Sequence, residues 1–235
     1  MIADLPAYWT ETGFSLSDLG AIKERAESLK PLYYIVRDTW THETLADIAK
    51  GKVFISDEML NSAVSERLSG DGNSPLSEIK LKCGDNRLDI FTRAKDGERL
   101  ELSGRLTEFV HRGDTSYMTY KIDKHKWPGH GIYSWLFANL SLSVVQSLMG
   151  DLQLPENFPL TLKGSTLTVD FSDIVNKSAF GKARVGSIYL KDAIVIENAV
   201  LKEGGIELKT RLDITDEYKR LLQEITERVQ ERIGR

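Results

Sequence analysis

The chain has 235 residues, of which 41% are hydrophobic and 28% are charged, and its net charge is −4. This length supports one large domain or two small ones, and the acidic balance gives no general attraction to nucleic acid. The single cysteine, Cys83, excludes an internal disulfide and a zinc site built from several cysteines. The N-terminus lacks the basic start and apolar run of a secretory signal, so we expect a cytoplasmic protein.

The first part of the chain, residues 14–69, has the apolar spacing of amphipathic helices. Thr41 is a candidate cap for one helix, and Gly51 is expected to end that helix. Ser56 or Asp57 is expected to cap the next helix. The pattern therefore predicts an N-terminal part made of helices.

A run of turn-forming residues, SGDGNSP at Ser69–Pro75, follows these helices. We place the domain boundary there, between a helical N-terminal part at residues 1–69 and a second part at residues 76–235. In the second part the hydrophobic period changes from helical spacing to two, which is typical of half-buried strands.

Residues 76–122 contain four runs of alternating apolar and polar side chains, separated by turns rich in Gly, Asp and Asn. Such short turns join antiparallel strands. Similar hairpins resume over residues 160–214, and an amphipathic helix is expected at residues 216–233. The fold class expected is α+β: a curved antiparallel β-sheet wrapped around a long apolar helix, with an N-terminal helical part and a C-terminal amphipathic helix.

The long apolar helix is expected at Gly131–Gly150, GIYSWLFANLSLSVVQSLMG, which carries no charged residue. Six Ser, Asn and Gln positions and the lack of a tight basic flank argue against a membrane span. At helical spacing the apolar residues form two flanks, so one flank can pack on the sheet while the other lines a groove. The packing flank contains Tyr133, Phe137, Leu140, Val144 and Leu148. The candidate ligand-binding flank contains Trp135, Leu142, Val145 and Met149.

Motifs for catalysis, cofactors and metals are not apparent in the sequence. His42-Glu43 begins like a zinc-protease helix, but Ala46 stands where the second histidine is needed. Cys83 has the spacing of a buried strand residue, which favours an apolar role over a nucleophilic one. We therefore expect no enzyme, no catalytic residue, no cofactor and no metal.

Residues 41–69 can also be divided as a helix-turn-helix. In that reading the second helix would contact DNA, yet it displays Asp57, Glu58 and Glu66 against a single basic residue, Arg67. Contact with phosphate needs Lys and Arg at such positions. DNA binding is therefore kept as a second alternative, and no nucleic-acid partner is expected.

From Val53 onward, the order of VFISDEMLNSAVSERL, SEIKLKCGDNRLDIFTRAKDG and RLELSGRLTEF resembles the bacterial LmeA-type lipid-binding proteins, which have the tubular lipid-binding (SMP- and BPI-like) architecture. The shared pattern includes the helix opening Ile55–Asn61. The later stretch GSIYLKDAIVIENAVLKEGGIELKTRLDI resembles the closing hairpin of such domains. The resemblance covers about residues 53–214 and implies a lipid-binding protein.

The residues themselves and the resemblance lead to the same hypothesis: the chain binds or carries a lipid or another apolar ligand in a groove between the sheet and the central helix. Peripheral membrane contact and a homo-oligomer are further options for its partners. The alternative is a structural or protein-interaction module in which both flanks of the helix are filled by protein side chains.

Overall fold

The structure is a computed structural model that describes residues 31–37, 39–70, 76–126 and 160–233. Residues 31–37 are helical and precede the helices that we label in chain order. These are α1 (His42–Ala49), α2 (Asp57–Gly70), α3 (Ser172–Lys177), α4 (Ala179–Lys182), α5 (Leu190–Ala193) and α6 (Asp216–Ile233). The strands are β1 (Lys52–Ser56), β2 (Leu76–Gly84), β3 (Arg87–Ala94), β4 (Arg99–Arg112), β5 (Thr115–Lys126), β6 (Leu160–Lys163), β7 (Thr166–Asp170), β8 (Arg184–Val185), β9 (Ile188–Tyr189), β10 (Ile194–Lys202) and β11 (Gly205–Leu212).

Nine of the described strands form one antiparallel sheet in the order β1-β11-β10-β4-β5-β7-β6, while β2 and β3 form a branch that joins at β4. The first half of β4 pairs with β3, and its second half reaches β10 through the pair His111–Ile196. Two register shifts in the β4–β5 ladder, at Ser103/Gly104 and Leu106/Glu108, mark β-bulges. Because a bulge bends its strand, this ladder is a point of curvature in the sheet.

The α+β class, the antiparallel sheet and its hairpin turns confirm the coarse prediction from the sequence. Backbone at positive φ occurs in these turns, at Asn86, Gly97, Gly113 and Gly164, where asparagine and glycine adopt it at low cost. The C-terminal helix also lies at the predicted residues, 216–233. The expected central helix Gly131–Gly150 lies outside the described residues.

Two parts of the secondary-structure prediction were wrong. Residues 52–56 lie in the N-terminal part that the sequence predicts to be helical, between the helix end at Gly51 and the cap at Ser56 or Asp57. They form strand β1, which pairs with β11 from Lys52–Lys209 to Ser56–Gly205. The β-branched Val53 and Ile55 are buried on one side of this strand, an arrangement that a period of two provides. The short elements α3, α4, α5 and β8 were not predicted; α3 begins where β7 ends, with Phe171 at its N-terminus.

Helix α2 closes the outer edge of strand β2 with side chains. Asn61 Nδ2 donates a hydrogen bond to the Leu81 carbonyl (2.9 Å), and the Leu81 amide donates to Asn61 Oδ1 (2.7 Å). The Cys83 amide donates to both carboxylate oxygens of Asp57 (3.0 and 3.1 Å), and the Cys83 carbonyl accepts from the Gly204 amide (3.1 Å). The backbone groups of Leu81 and Cys83 that a neighbouring strand would otherwise pair are therefore hydrogen-bonded without such a strand.

We expect Asn61→Leu to lower the free energy of unfolding by about 2–5 kcal/mol, because it leaves the amide and carbonyl of Leu81 without partners. The matched control is Ser62→Leu, which changes an exposed residue of the same helix and is expected to cost less than about 0.5 kcal/mol. Denaturant unfolding of both variants measures the difference. Equal losses of stability would contradict a specific role for Asn61 in closing the edge.

Candidate functional site

One side of strands β2 to β7 forms a continuous apolar face. The pairing register places alternate residues of neighbouring strands on the same side, as in Leu81–Ile90–Leu102 and Phe109–Met118–Val169. The buried members of this face include no Asp, Glu, Lys or Arg. They are Ile79, Leu81, Cys83, Leu88, Ile90, Thr92, Leu102, Phe109, Met118, Tyr120, Leu167 and Val169.

Part of the apolar face, on β4, β5 and β6, reaches solvent. Leu162 is 39% exposed, although Leu167, the residue with which it pairs on β7, is 0% exposed. Leu106, Ile122 and Leu160 occupy equivalent register positions and are partly buried against the core. We call the group Leu106, Ile122, Leu160 and Leu162 the apolar margin. Within the described strands, the residues that pair with the apolar margin carry no charge, so the margin presents aliphatic side chains in uncharged surroundings.

Tyr120 fills the face between β3 and β5. Its hydroxyl donates a hydrogen bond to the Leu88 carbonyl (3.0 Å), and its ring crosses over Gly104. A Cβ at position 104 would lie 2.6 Å from the ring and 2.2 Å from the Lys121 carbonyl, so the close approach requires glycine here. Burial raises the pKa of the Tyr120 hydroxyl, so that it remains a neutral donor. The ring thus provides a fixed wall beside the apolar margin.

A buried polar pair, His111 and Ser116, lies at the other end of the β4–β5 hairpin. His111 Nδ1 is 2.7 Å from Ser116 Oγ, and the imidazole ring packs edge-on against Phe180 at 5.7 Å between centroids. Burial lowers the pKa of His111 to about 4, with smaller and opposing effects from Lys191, whose backbone raises the pKa and whose charge lowers it. The imidazole is therefore neutral at pH 7.

His111 and Ser116 are residue types that can act as a base and a nucleophile, but the pair is not accessible to a substrate. Both residues are 0% exposed, so a substrate in solvent has no route to the hydroxyl in this conformation. The sequence analysis missed this pair. The available signal was the position of His111 two residues after Phe109 in a strand, which places both side chains on the same, buried side.

The four residues expected to bind a ligand, Trp135, Leu142, Val145 and Met149, lie outside the described residues. Cys83 is buried as expected, and burial is the main factor that raises the pKa of its thiol, with smaller effects from Asp57. A thiol in this state is not an activated nucleophile.

Residues 41–69 do not have the arrangement of a helix-turn-helix, because strand β1 separates α1 from α2 and pairs into the sheet. Asp57 and Asn61 of the supposed DNA-reading helix are hydrogen-bonded to β2. The geometry therefore gives no support to this alternative.

Two features are absent from the described residues. Within that part of the chain, no group of three or more His, Cys, Asp or Glu side chains lies close enough together to hold a metal ion. None of its helices combines the length and the apolar character that crossing a membrane requires.

Comparison with known proteins gave no relative: no protein-family model matches the chain, and neither a curated protein nor a solved structure is significantly similar to it. The function must therefore be argued from the geometry of the apolar face and from the sequence pattern.

The buried imidazole of His111 makes stability depend on pH. Its pKa in the folded protein, about 4, is below the ordinary value of 6.5, so the unfolded chain takes up the proton first as the pH falls. We expect this group to remove up to about 3 kcal/mol of stability between pH 6.5 and pH 4. Denaturant unfolding of the protein and of His111→Gln across this range measures the effect.

The glutamine variant keeps the carboxylates that also titrate, so the difference between the two proteins isolates the histidine. The difference in the free energy of unfolding between the wild type and His111→Gln should shrink as the pH falls. A constant difference from pH 7 to pH 4 would show that His111 does not remain neutral in the folded state.

Proposed function

We propose that this protein binds or carries a lipid or another apolar ligand on the apolar face of its sheet. The observation that carries the proposal is the apolar margin, where Leu106, Ile122, Leu160 and Leu162 reach solvent beside buried residues of the same face. An acyl chain laid along these side chains would remove them from water. Each buried CH₂ of the ligand contributes about 0.8 kcal/mol, so no specific polar contact is needed.

The strand order supports the part of the proposal that concerns the uncharged segment Gly131–Gly150. Strands β5 and β6 run in the same direction, because each pairs antiparallel with β7. Leu160 is level with Met118, since both pair with Val169, whereas β5 continues to Lys126. The connection from β5 to β6 must therefore run back about 27 Å along the sheet. A helix of about 20 residues is about 30 Å long and would cover this distance.

In the proposed site, the second wall of the groove is the flank of that segment with Trp135, Leu142, Val145 and Met149. The ligand would lie between this flank and the apolar margin. The resemblance of residues 53–214 to LmeA-type lipid-binding proteins supports the same class of ligand, and we propose the relationship on that sequence pattern alone. The absence of charge among the described residues of the face favours the hydrocarbon part of a lipid over its headgroup as the group held there.

The alternative, a structural or protein-interaction module, is favoured by a different observation. Most members of the apolar face are fully buried, among them Leu88, Tyr120, Leu167 and Val169, so protein atoms already fill much of the space above the sheet. A ligand site would then be confined to the margin, or the margin would cover a partner. Organic extraction of the purified protein followed by mass spectrometry separates a loaded carrier from an empty module.

A matched pair of substitutions in one cross-strand pair tests the margin. We expect Leu162→Asp to keep the fold, because the side chain is 39% exposed, and to abolish loading with a fluorescent fatty acid. The control Leu167→Asp places a carboxylate at a fully buried position and should unfold the protein, since this costs several kcal/mol out of a stability of about 5–15 kcal/mol. Circular dichroism and probe fluorescence distinguish the two outcomes. A folded Leu162→Asp variant that still loads the probe would place the ligand elsewhere.

A second pair tests the other wall of the groove. Val145 belongs to the flank expected to face the ligand, and Val144 to the flank expected to pack on the sheet. We expect Val145→Asp to fold without loading the probe, because water enters an emptied groove, whereas Val144→Asp unfolds or precipitates. If both variants unfold alike, the segment is packed by protein on every side, and the lipid hypothesis fails for this wall.

A further inference from the structure

The face of the sheet opposite the apolar face carries an exposed aromatic ring among lysines. Phe91 on β3 is 42% exposed and pairs with Lys80 on β2. The neighbouring row contains Lys82 opposite Asp89, and continues through Ser103 to Lys124 on β5. Because paired residues point to the same side of a sheet, these side chains share one surface. We call Phe91 with Lys80, Lys82 and Lys124 the basic face.

Most carboxylates on this surface form ion pairs with arginines and not with the three lysines. Asp89 binds Arg87 (2.9 Å), and Glu78 binds Arg93 (3.7 Å). Glu101, which lies opposite Phe91 on β4, also has an interaction partner.

The three lysines of the basic face are exposed and make no ion pair within the described part of the chain. The surface is thus locally basic, although the whole chain has a net charge of −4.

We propose that the basic face docks this protein on an anionic membrane surface. Lys80, Lys82 and Lys124 would contact lipid headgroups electrostatically while the ring of Phe91 enters the interfacial region. The long aliphatic stems of the lysines suit this position, because they bury their CH₂ groups and keep the ammonium in water. The proposal does not rest on the apolar margin, which lies on the opposite side of the sheet.

The observations favour a membrane over single-stranded nucleic acid as the partner. Nucleic-acid platforms stack successive bases on several aromatic rings along a basic groove. In the described cross-strand rows around Phe91 the neighbours are Lys80, Glu101, Lys82, Asp89 and Ser103, none of which is aromatic. One exposed ring with Lys80, Lys82 and Lys124 nearby, on a surface where Asp89 and Glu78 pair with arginines, matches an interface with anionic headgroups instead.

Sedimentation with vesicles tests the proposal on the full chain. The wild-type protein should bind vesicles of equal parts phosphatidylcholine and phosphatidylserine, should bind pure phosphatidylcholine far more weakly, and should be released by high salt. The double variant Lys80→Ala/Lys82→Ala should bind about 25-fold more weakly, at about fivefold per lysine. Phe91→Ser should weaken binding about tenfold, because it removes the apolar contribution and leaves the charges.

The matched control is Lys177→Ala/Lys182→Ala, which removes the same charge from the exposed surface of α3 and α4, beside the β4–β5 turn, and should leave vesicle binding unchanged. Equal losses in the two double variants, no loss in Lys80→Ala/Lys82→Ala, or no binding by the wild type would each overturn the proposal. So would retention of single-stranded RNA without retention of vesicles. Loading of the fluorescent fatty acid should be unaffected in all these variants, so the docking surface and the ligand site are tested separately.

Discussion

The pairing of β4 on both edges is the constraint on which the rest of the sheet depends. One edge pairs with β5 throughout, while the other is shared between β3 and β10. Sharing one edge brings the β2–β3 and β10–β11 hairpins together, and the Asn86 amide donates a hydrogen bond to the Leu201 carbonyl where their turns meet. The same junction lets Gly204 and helix α2 complete the outer edge of β2. A strand of ordinary length could not pair with both partners in this way.

Two different surfaces arise from the same strands because a pleated strand alternates its side chains. In β3, Ile90 points to the buried apolar side, and Phe91 points to the exposed side among lysines. A lipid held on the first surface and a membrane met by the second would be separated only by the thickness of one sheet. The apolar face and the basic face are therefore compatible with one protein that binds a lipid on one side of its sheet and contacts a membrane with the other.

Sequence reasoning found the elements whose signals are local. The turn at Gly84-Asp85-Asn86 and the alternation around Leu81 specify their hairpin within a few residues, and the charged and apolar sides of residues 216–233 specify their helix. Strand β1 was missed because its partner β11 is remote in sequence and its neighbours on either side are helices. The exposure of the apolar margin could not be predicted either, because it depends on packing across strands. The ligand-binding role of the residues between 131 and 150 stays a prediction.

The pairing of β1 with β11 also imposes an order on assembly. Ser56 pairs with Gly205, so about 150 residues must be synthesised before β1 has a partner. At about 5–20 residues per second, translation of that stretch takes about 10–30 s. By contrast, Asn61 finds Leu81 only 20 residues later, so α2 with β2 and β3 can form an early unit of local contacts. During this interval Val53 and Ile55, which are buried in the finished sheet, lack their partners Leu208 and Ile206 on β11.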